Sequence, residues 1–159
     1  MFMEHRAVLS LKGPVPDVES EELIPFGVAS VRRPGTDVTV VGVAHTVTLA
    51  LAASDVLAGE GVSVEVIDPR SLAPLDLDTV LASVAKTGRL LVVDEDYALC
   101  GIGAEIAAQV ADRGFNDLDA PIRRLNTRPA PIPYSPPLEQ ALVPTEASIA
   151  QAVRELLAE

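Results

Sequence analysis

Two textures of apolar residues alternate along the chain. Residues 37–43, DVTVVGV, form a short β-branched run of the kind that fills a strand buried on both faces. Comparable runs follow at 62–68 (VSVEVID, ended by Pro69), 89–94 (RLLVVD) and 121–126 (PIRRLN). Between them the apolar positions change to helical spacing. Leu49, Ala52, Ala53 and Val56 fall on one stripe of a helix that runs through Ala58 and is stopped by Gly59 and Gly61. A second helix opens at Asp76 or Asp78 and closes at Gly88, with Lys86 in its last turn, where the helix dipole favours a cation. A third spans 102–113, and a last one spans 146–157 with Thr145 as its N-cap. Strands alternating with helices over short connections predict an α/β domain with a largely parallel sheet.

The first 36 residues lack that periodicity. Pro14, Pro16, Pro25 and an acidic run at 19–22 read as an extended lead-in or interdomain linker, which leaves 37–159 as the domain. A chain that opens on a linker is expected to be a piece of a longer polypeptide. A second proline-rich loop, carrying Pro129, Pro131, Pro133, Pro136 and Pro137, precedes the last helix.

Composition narrows the picture. The 159 residues suit one domain, and with 48% hydrophobic but only 3% aromatic residues the core is built from Ala, Val, Leu and Ile. A net charge of -11 argues against nucleic acid and suits solubility or a basic partner. The single cysteine, Cys100, excludes an internal disulfide and fits a reducing, cytoplasmic setting. No apolar run reaches the roughly 20 residues of a membrane helix. Glu4, His5 and Arg6 interrupt any signal-like start.

Candidate chemistry is sparse. Gly101 and Gly103 stand between a strand and a helix, the layout of a phosphate-binding turn. The third small residue of a dinucleotide fingerprint is replaced by Ile106, no Gly-Lys-Ser/Thr follows, and Asp94, Glu95, Asp96 and Glu105 would repel an anion. The glycines are expected to serve a tight backbone path. His45 lies just past a strand end, where α/β sheets gather ligands, but it has no partner near it in sequence and reads as a turn or interface residue. Cys100 reads as a buried, inert thiol. His5, His45 and Cys100 are too far apart in sequence to suggest a metal site. The residues offer no catalytic, cofactor-binding or metal-ligating set.

Six segments taken together carry a resemblance: EHR (4–6), VEVIDPRSLAPLD (64–76), TGRLLVVDED (87–96), GIGAEIAA (101–108), LDAPIRRL (118–125) and PIPYSPPLE (131–139). The whole chain resembles the C-terminal half of the beta subunit of the thiamine-dependent 2-oxo acid dehydrogenases, the group that acts on pyruvate, branched-chain 2-oxo acids and acetoin. The resemblance implies a three-layer α/β/α fold like the transketolase C-terminal domain. Its sheet is mixed, mostly parallel and five-stranded, with one antiparallel edge. The four strands read from the sequence leave one missing, to be supplied by the lead-in or by a segment near 133–135.

The resemblance also implies a role without chemistry of its own. No cofactor is expected in this domain; thiamine diphosphate and magnesium belong to the intact enzyme, the diphosphate and its magnesium on the alpha subunit and the aminopyrimidine on the N-terminal half of the beta subunit. Those two are expected partners. A third is the basic peripheral subunit-binding domain of the dihydrolipoyl acyltransferase, docked through Asp119 and the C-terminal carboxylate at Glu159, with Asp117 and Glu155 extending the acidic patch. A homodimer is also compatible with exposed assembly surfaces. Asp119 has a plainer reading as a turn former before Ala120-Pro121. After EHR the sequence has Ala7, Val8, Leu9 and Ser10 where the family carries Leu-Tyr, and ALCGIG (98–103) where relatives carry paired glycines and an aromatic. These departures lean toward the acetoin or branched-chain type. Two other readings are a stand-alone small-molecule-binding α/β protein using His45 and Asp94 to Asp96, and the equivalent domain of a transketolase or a 1-deoxyxylulose-5-phosphate synthase.

Overall fold

All five residues of β2 (Val38–Gly42) are buried, and this strand is the middle of the sheet. The computed structural model describes residues 1–14, 17 and 23–159; the acidic run at 19–22 and Pro16 lie outside the described residues. Five strands stand in the order β1-β3-β2-β4-β5, where β1 is Ser30–Arg33, β3 Val64–Asp68, β4 Leu90–Tyr97 and β5 Arg123–Thr127. β2, β3, β4 and β5 are parallel, and β1 pairs antiparallel with β3 at the edge. The mixed five-stranded sheet expected from the resemblance is therefore the one observed.

The missing strand comes from the stretch read as lead-in. β1 is SVRR, too short and too charged to stand out as an apolar run. β5, RRLNT, closes the opposite edge in the same style. Short, arginine-bearing edge strands discourage further strand addition, which is why their sequences look unlike the VTVVG of the centre.

Alternation along the inner strands sorts side chains to two helical layers. On one face Val38, Val40, Val64, Val66, Leu91 and Val93 pack against α1 (Thr46–Ala58) and α5 (Glu146–Leu157). On the other, Val41, Ile67, Leu90 and Val92 pack against α2 (Leu77–Thr87) and α3 (Ile102–Arg113). A five-residue helix, α4 (Pro136–Gln140), sits inside the proline-rich loop, and 3-10 turns span Arg6–Ser10 and Phe115–Asp117. Among the described residues, no helix is long and apolar enough to cross a membrane.

The caps follow the sequence closely. Asp76, not Asp78, is the N-cap of α2, accepting from the Thr79 backbone at 3.1 Å. Gly88 ends α2 in the left-handed conformation, φ 69°. Thr145 and Ser148 form a reciprocal capping box at the start of α5. One helix is rotated relative to expectation. α1 buries Val47, Ala50, Ala53 and Leu57, while Val56 is 45% exposed. Apolar residues surround this helix almost completely, so no polar face fixes its phase in the sequence. Ser54 is drawn inward because its hydroxyl bonds the Ala50 carbonyl at 2.6 Å.

Polar residues also line the α2 face. The Thr39 hydroxyl meets Ser83 Oγ at 2.6 Å and Thr87 Oγ1 at 2.7 Å, all three buried. Beside them Glu65, 3% exposed in the middle of β3, accepts from the Gly35 backbone at 3.1 Å and from Lys86 Nζ. Burial pushes the Glu65 carboxyl up, and the Lys86, Ser83 and Gly35 donors outweigh that, leaving it below the usual carboxylate range.

Candidate functional site

β3 and β4 leave β2 on opposite sides, so a crevice opens at the carboxyl ends of β2 and β4. The connections at this rim turn sharply. Ala44 after β2, Arg70 after β3 and Cys100 after β4 all have positive φ, at 53°, 57° and 61°. The Thr46 hydroxyl fastens the rim from below, donating to the Val93 carbonyl at 2.8 Å. Cys100 is exposed at its left-handed position, not buried as the sequence suggested. A turn residue at a strand exit has no layer above it to cover the thiol.

Into this crevice the fold gathers three side chains from distant segments. Glu95 near the end of β4 receives His45 Nδ1 on Oε1 at 3.1 Å and His5 Nε2 on Oε2 at 2.7 Å. The two imidazoles are stacked, 5.0 Å between centroids and 11° from parallel. His5 also caps the 3-10 turn at Arg6–Ser10, its Nδ1 accepting from the Ala7 backbone at 3.2 Å. That bond fixes the tautomers: His5 carries its proton on Nε2 and His45 carries one on Nδ1, because an ionised carboxylate only accepts. Two histidines forty residues apart and an acid fifty residues further on leave no local signature; the partner that His45 lacks in the neighbouring sequence is brought to it by the fold.

The three donor atoms lie within 4.8 Å of one another, and the residue types match many metal sites. As placed, the two rings are stacked and near-parallel, and each addresses a different oxygen of the one carboxylate.

The neighbouring glycine turn is packed shut. A Cβ on Gly101 would come within 2.4 Å of the Tyr97 carbonyl and 3.7 Å of Asp94 Oδ2, so backbone and carboxylate already fill the space a diphosphate would need. Asp94 itself is 6% exposed. Its Oδ1 accepts from the Asp96 backbone at 3.2 Å, while Oδ2 has no hydrogen-bond partner among the described residues. Desolvation pushes the Asp94 carboxyl above its ordinary range, with Asp96 and Glu95 adding repulsion against the bonds from Asp96 and Glu95 backbone. The turn at Gly101 therefore does not fit a diphosphate.

The acids expected to dock a partner lie at the other end of the sheet. Asp119 is exposed on the loop between α3 and β5, and its backbone N–H donates to the Gly88 carbonyl at 2.8 Å. Its carboxylate lies over Gly88, where an added Cβ would be 2.2 Å from Oδ2. Among the described residues that carboxylate accepts no hydrogen bond and joins no ion pair. Asp119 is thus both a turn residue and a free charge. Asp117 is exposed in the preceding 3-10 turn. Glu159 is paired with Arg123 at the start of β5, and Glu155 accepts from Gln151 at 2.8 Å. Asp119 also borders an open apolar groove along α3, lined by Ala104, Ala107, Ala108, Leu118 and Ile122.

Comparison with known proteins gives a consistent answer. The family described as "Transketolase, C-terminal domain" matches residues 27–149. The chain is 44% identical over 158 residues to the acetoin:2,6-dichlorophenolindophenol oxidoreductase subunit beta of Bacillus subtilis (strain 168), covering 99% of this chain and 46% of that one. It is 43% identical over 138 residues to the pyruvate dehydrogenase E1 component subunit beta of Rickettsia bellii, covering 87% of this chain and 42% of that one. The chain spans a little under half the length of these relatives. Among solved structures, "Split gene transketolase, inactive beta4 tetramer" superposes with a TM-score of 0.75 at 25% identity over 91% of this chain and 46% of that chain. A 2-oxoglutarate:ferredoxin oxidoreductase from Magnetococcus marinus shares the fold alone, with a TM-score of 0.55 at 15% identity over 82% of this chain and 19% of that chain.

Proposed function

The chain belongs to the transketolase C-terminal domain family, and from that premise we propose that it is the C-terminal half of the beta subunit of a thiamine-dependent 2-oxo acid dehydrogenase, working in assembly and docking. The observation that carries this reading is the end-to-end similarity to beta subunits of acetoin and pyruvate enzymes, at 44% and 43% identity. Such near-equal identities give no preference between the two substrates, and a leaning toward the acetoin or branched-chain type rests on residues 7–10 and 98–103 alone.

In the intact enzyme, thiamine diphosphate and magnesium drive decarboxylation of a 2-oxo acid and transfer of the acyl group to lipoamide. This half holds the alpha subunit and the N-terminal half of its own subunit in place, and it works in the cytoplasm. Its acidic surface faces a basic partner, the peripheral subunit-binding domain of the dihydrolipoyl acyltransferase, with Asp119 as the central contact and Asp117 and Glu159 at its margins. The free Asp119 carboxylate beside an apolar groove supports this choice, since a docking centre combines an apolar seat with a charge that steers the encounter. Glu159 contributes less through its side chain, because Arg123 already neutralises it.

Calorimetry of the chain with that basic domain tests the reading. Expected are salt-sensitive binding, weaker with Asp119→Ala, and no detectable binding of thiamine diphosphate. Tight cofactor binding by the chain alone would overturn it.

A further inference from the structure

We infer that His5, His45 and Glu95 are the ligands of a site for one zinc ion, which clamps the N-terminal segment to the rim of the sheet. Two imidazole nitrogens and a carboxylate oxygen suit zinc, whereas magnesium and calcium select oxygens. The ligand atoms already stand together. His5 Nε2 is 2.7 Å from one oxygen of Glu95, His45 Nδ1 is 3.1 Å from the other, and one ligand atom from each residue lies within 4.8 Å of the rest. Tetrahedral zinc with bonds of about 2.0–2.2 Å holds its ligands roughly 3.4 Å apart, so the widest gap closes by about 1.4 Å at most. The two rings, now 11° from parallel, fan toward the carboxylate to do so.

The sheet fixes two of the three ligands. His45 follows the turn at Ala44, φ 53°, and its ring makes no cap bond to α1. Glu95 lies in β4, and the Thr127 hydroxyl of β5 holds its carbonyl, leaving the carboxylate to the histidines. His5 arrives from a segment whose Phe2, Met3, Leu9 and Leu11 are exposed, so apolar burial of these residues does little to hold it. The His5, His45 and Glu95 side chains are 33%, 25% and 26% exposed, which admits an ion from solvent and leaves one coordination position open to it. Asp94 and Asp96 beside Glu95 add to a field that attracts cations.

Binding marks the rings distinctively. The metal takes the nitrogens that now donate to Glu95, so each neutral ring carries its proton on the other nitrogen: Nδ1 in His5 and Nε2 in His45. No proton is gained or lost. His5 Nδ1 then stops accepting from the Ala7 N–H, 3.2 Å away, and the exposed Ala7 amide turns to water.

The test uses the full chain, stripped of metal by a chelator, and zinc ion alone as the probe. Calorimetry should show saturable binding of one zinc per chain, and zinc should raise the unfolding temperature until a chelator is added back. Magnesium at the same concentration should do neither. Losing even an outer partner of a metal ligand weakens affinity about 10–100-fold, so His5→Gln, His45→Gln and Glu95→Gln should each weaken zinc binding by about a hundredfold or more. Dispersed β2 and β4 amide signals show that each variant is folded. Cys100→Ser, which removes the exposed thiol, should leave the affinity unchanged. Nitrogen-15 NMR should place the metal on Nε2 of His5 and Nδ1 of His45, with the Ala7 amide losing protection. The site would be refuted by an absence of saturable zinc binding, or by binding that survives in any of the three folded ligand variants. Binding lost in Cys100→Ser, or rings whose protons stay on their present nitrogens in saturating zinc, would refute it equally.

Discussion

Ala29 and Asp76 are joined across the edge of the sheet: the Ala29 backbone N–H donates to Asp76 Oδ2 at 2.8 Å. The same carboxylate caps α2, accepting from Thr79 N at 3.1 Å and Thr79 Oγ1 at 2.7 Å. One side chain therefore starts a helix and ties down the approach to β1. Burial would raise the Asp76 carboxyl, but the bonds from Ala29 and Thr79 outweigh it and hold it below the usual range.

Replacing Asp76 by Ala removes both functions and should cost about 2 kcal/mol in urea unfolding. Because the folded-state carboxyl is lowered, its contribution is present above the ordinary carboxylate value and fades as pH falls through the folded value. The gap between wild type and Asp76→Ala should therefore narrow in acid. A gap independent of pH would separate the cap from ionisation.

The pair Glu65 and Lys86 makes a different pH prediction. Glu65 is buried in β3, whereas the Lys86 side chain is 45% exposed. Lys86→Ala leaves a buried carboxylate without its cation and should cost about 2 kcal/mol at neutral pH, less than a fully buried pair because water reaches the ammonium. Acid should relieve the loss, since a protonated Glu65 no longer needs a cation. The double replacement Glu65→Gln with Lys86→Met should recover most of the stability. Additive losses in the double variant would rule out the coupling.

Asp94 carries the opposite sign. Its raised folded-state carboxyl means ionisation opposes folding, a cost absent at low pH that grows as pH rises through the folded value. Asp94→Asn keeps an acceptor for the Asp96 N–H and removes the buried charge, so it should stabilise the chain at neutral pH by on the order of 1 kcal/mol. The gain should vanish in acid, and thermal unfolding at two pH values decides it. A loss at neutral pH would mean that the Asp94 charge itself is needed at the rim.

The sequence read the middle of this fold well and its margins poorly, for a physical reason. β2, β3 and β4 are buried on both faces and advertise themselves as Val-rich runs, and Asp76, Gly88 and Thr145 mark helix ends by local chemistry. β1 is stabilised by pairing with β3, not by its own composition, so SVRR was indistinguishable from linker. The phase of α1 depended on which neighbours surround an almost uniformly apolar helix. The triad at the rim was illegible because His5, His45 and Glu95 meet only through the topology. The tight backbone path read at Gly101 is observed, since the Tyr97 carbonyl lies where its Cβ would be.

Gly88 and Asp119 give the sharpest structural test. Gly88 sits at φ 69°, which costs an alanine about 1 kcal/mol or more, and an alanine Cβ would also come 2.2 Å from Asp119 Oδ2. Gly88→Ala should therefore cost about 2 kcal/mol, one part from the backbone and one part from pushing Asp119 aside. The two parts separate in a double-mutant cycle. Asp119→Ala removes the obstructing carboxylate, so the double variant should be more stable than the sum of the single losses by roughly 1 kcal/mol. The same cycle read by calorimetry with the basic binding domain should show Gly88→Ala weakening docking in the presence of Asp119 and having no further effect once Asp119 is gone. Strict additivity in both readouts would mean that Asp119 swings clear freely and that Gly88 matters for its backbone conformation alone.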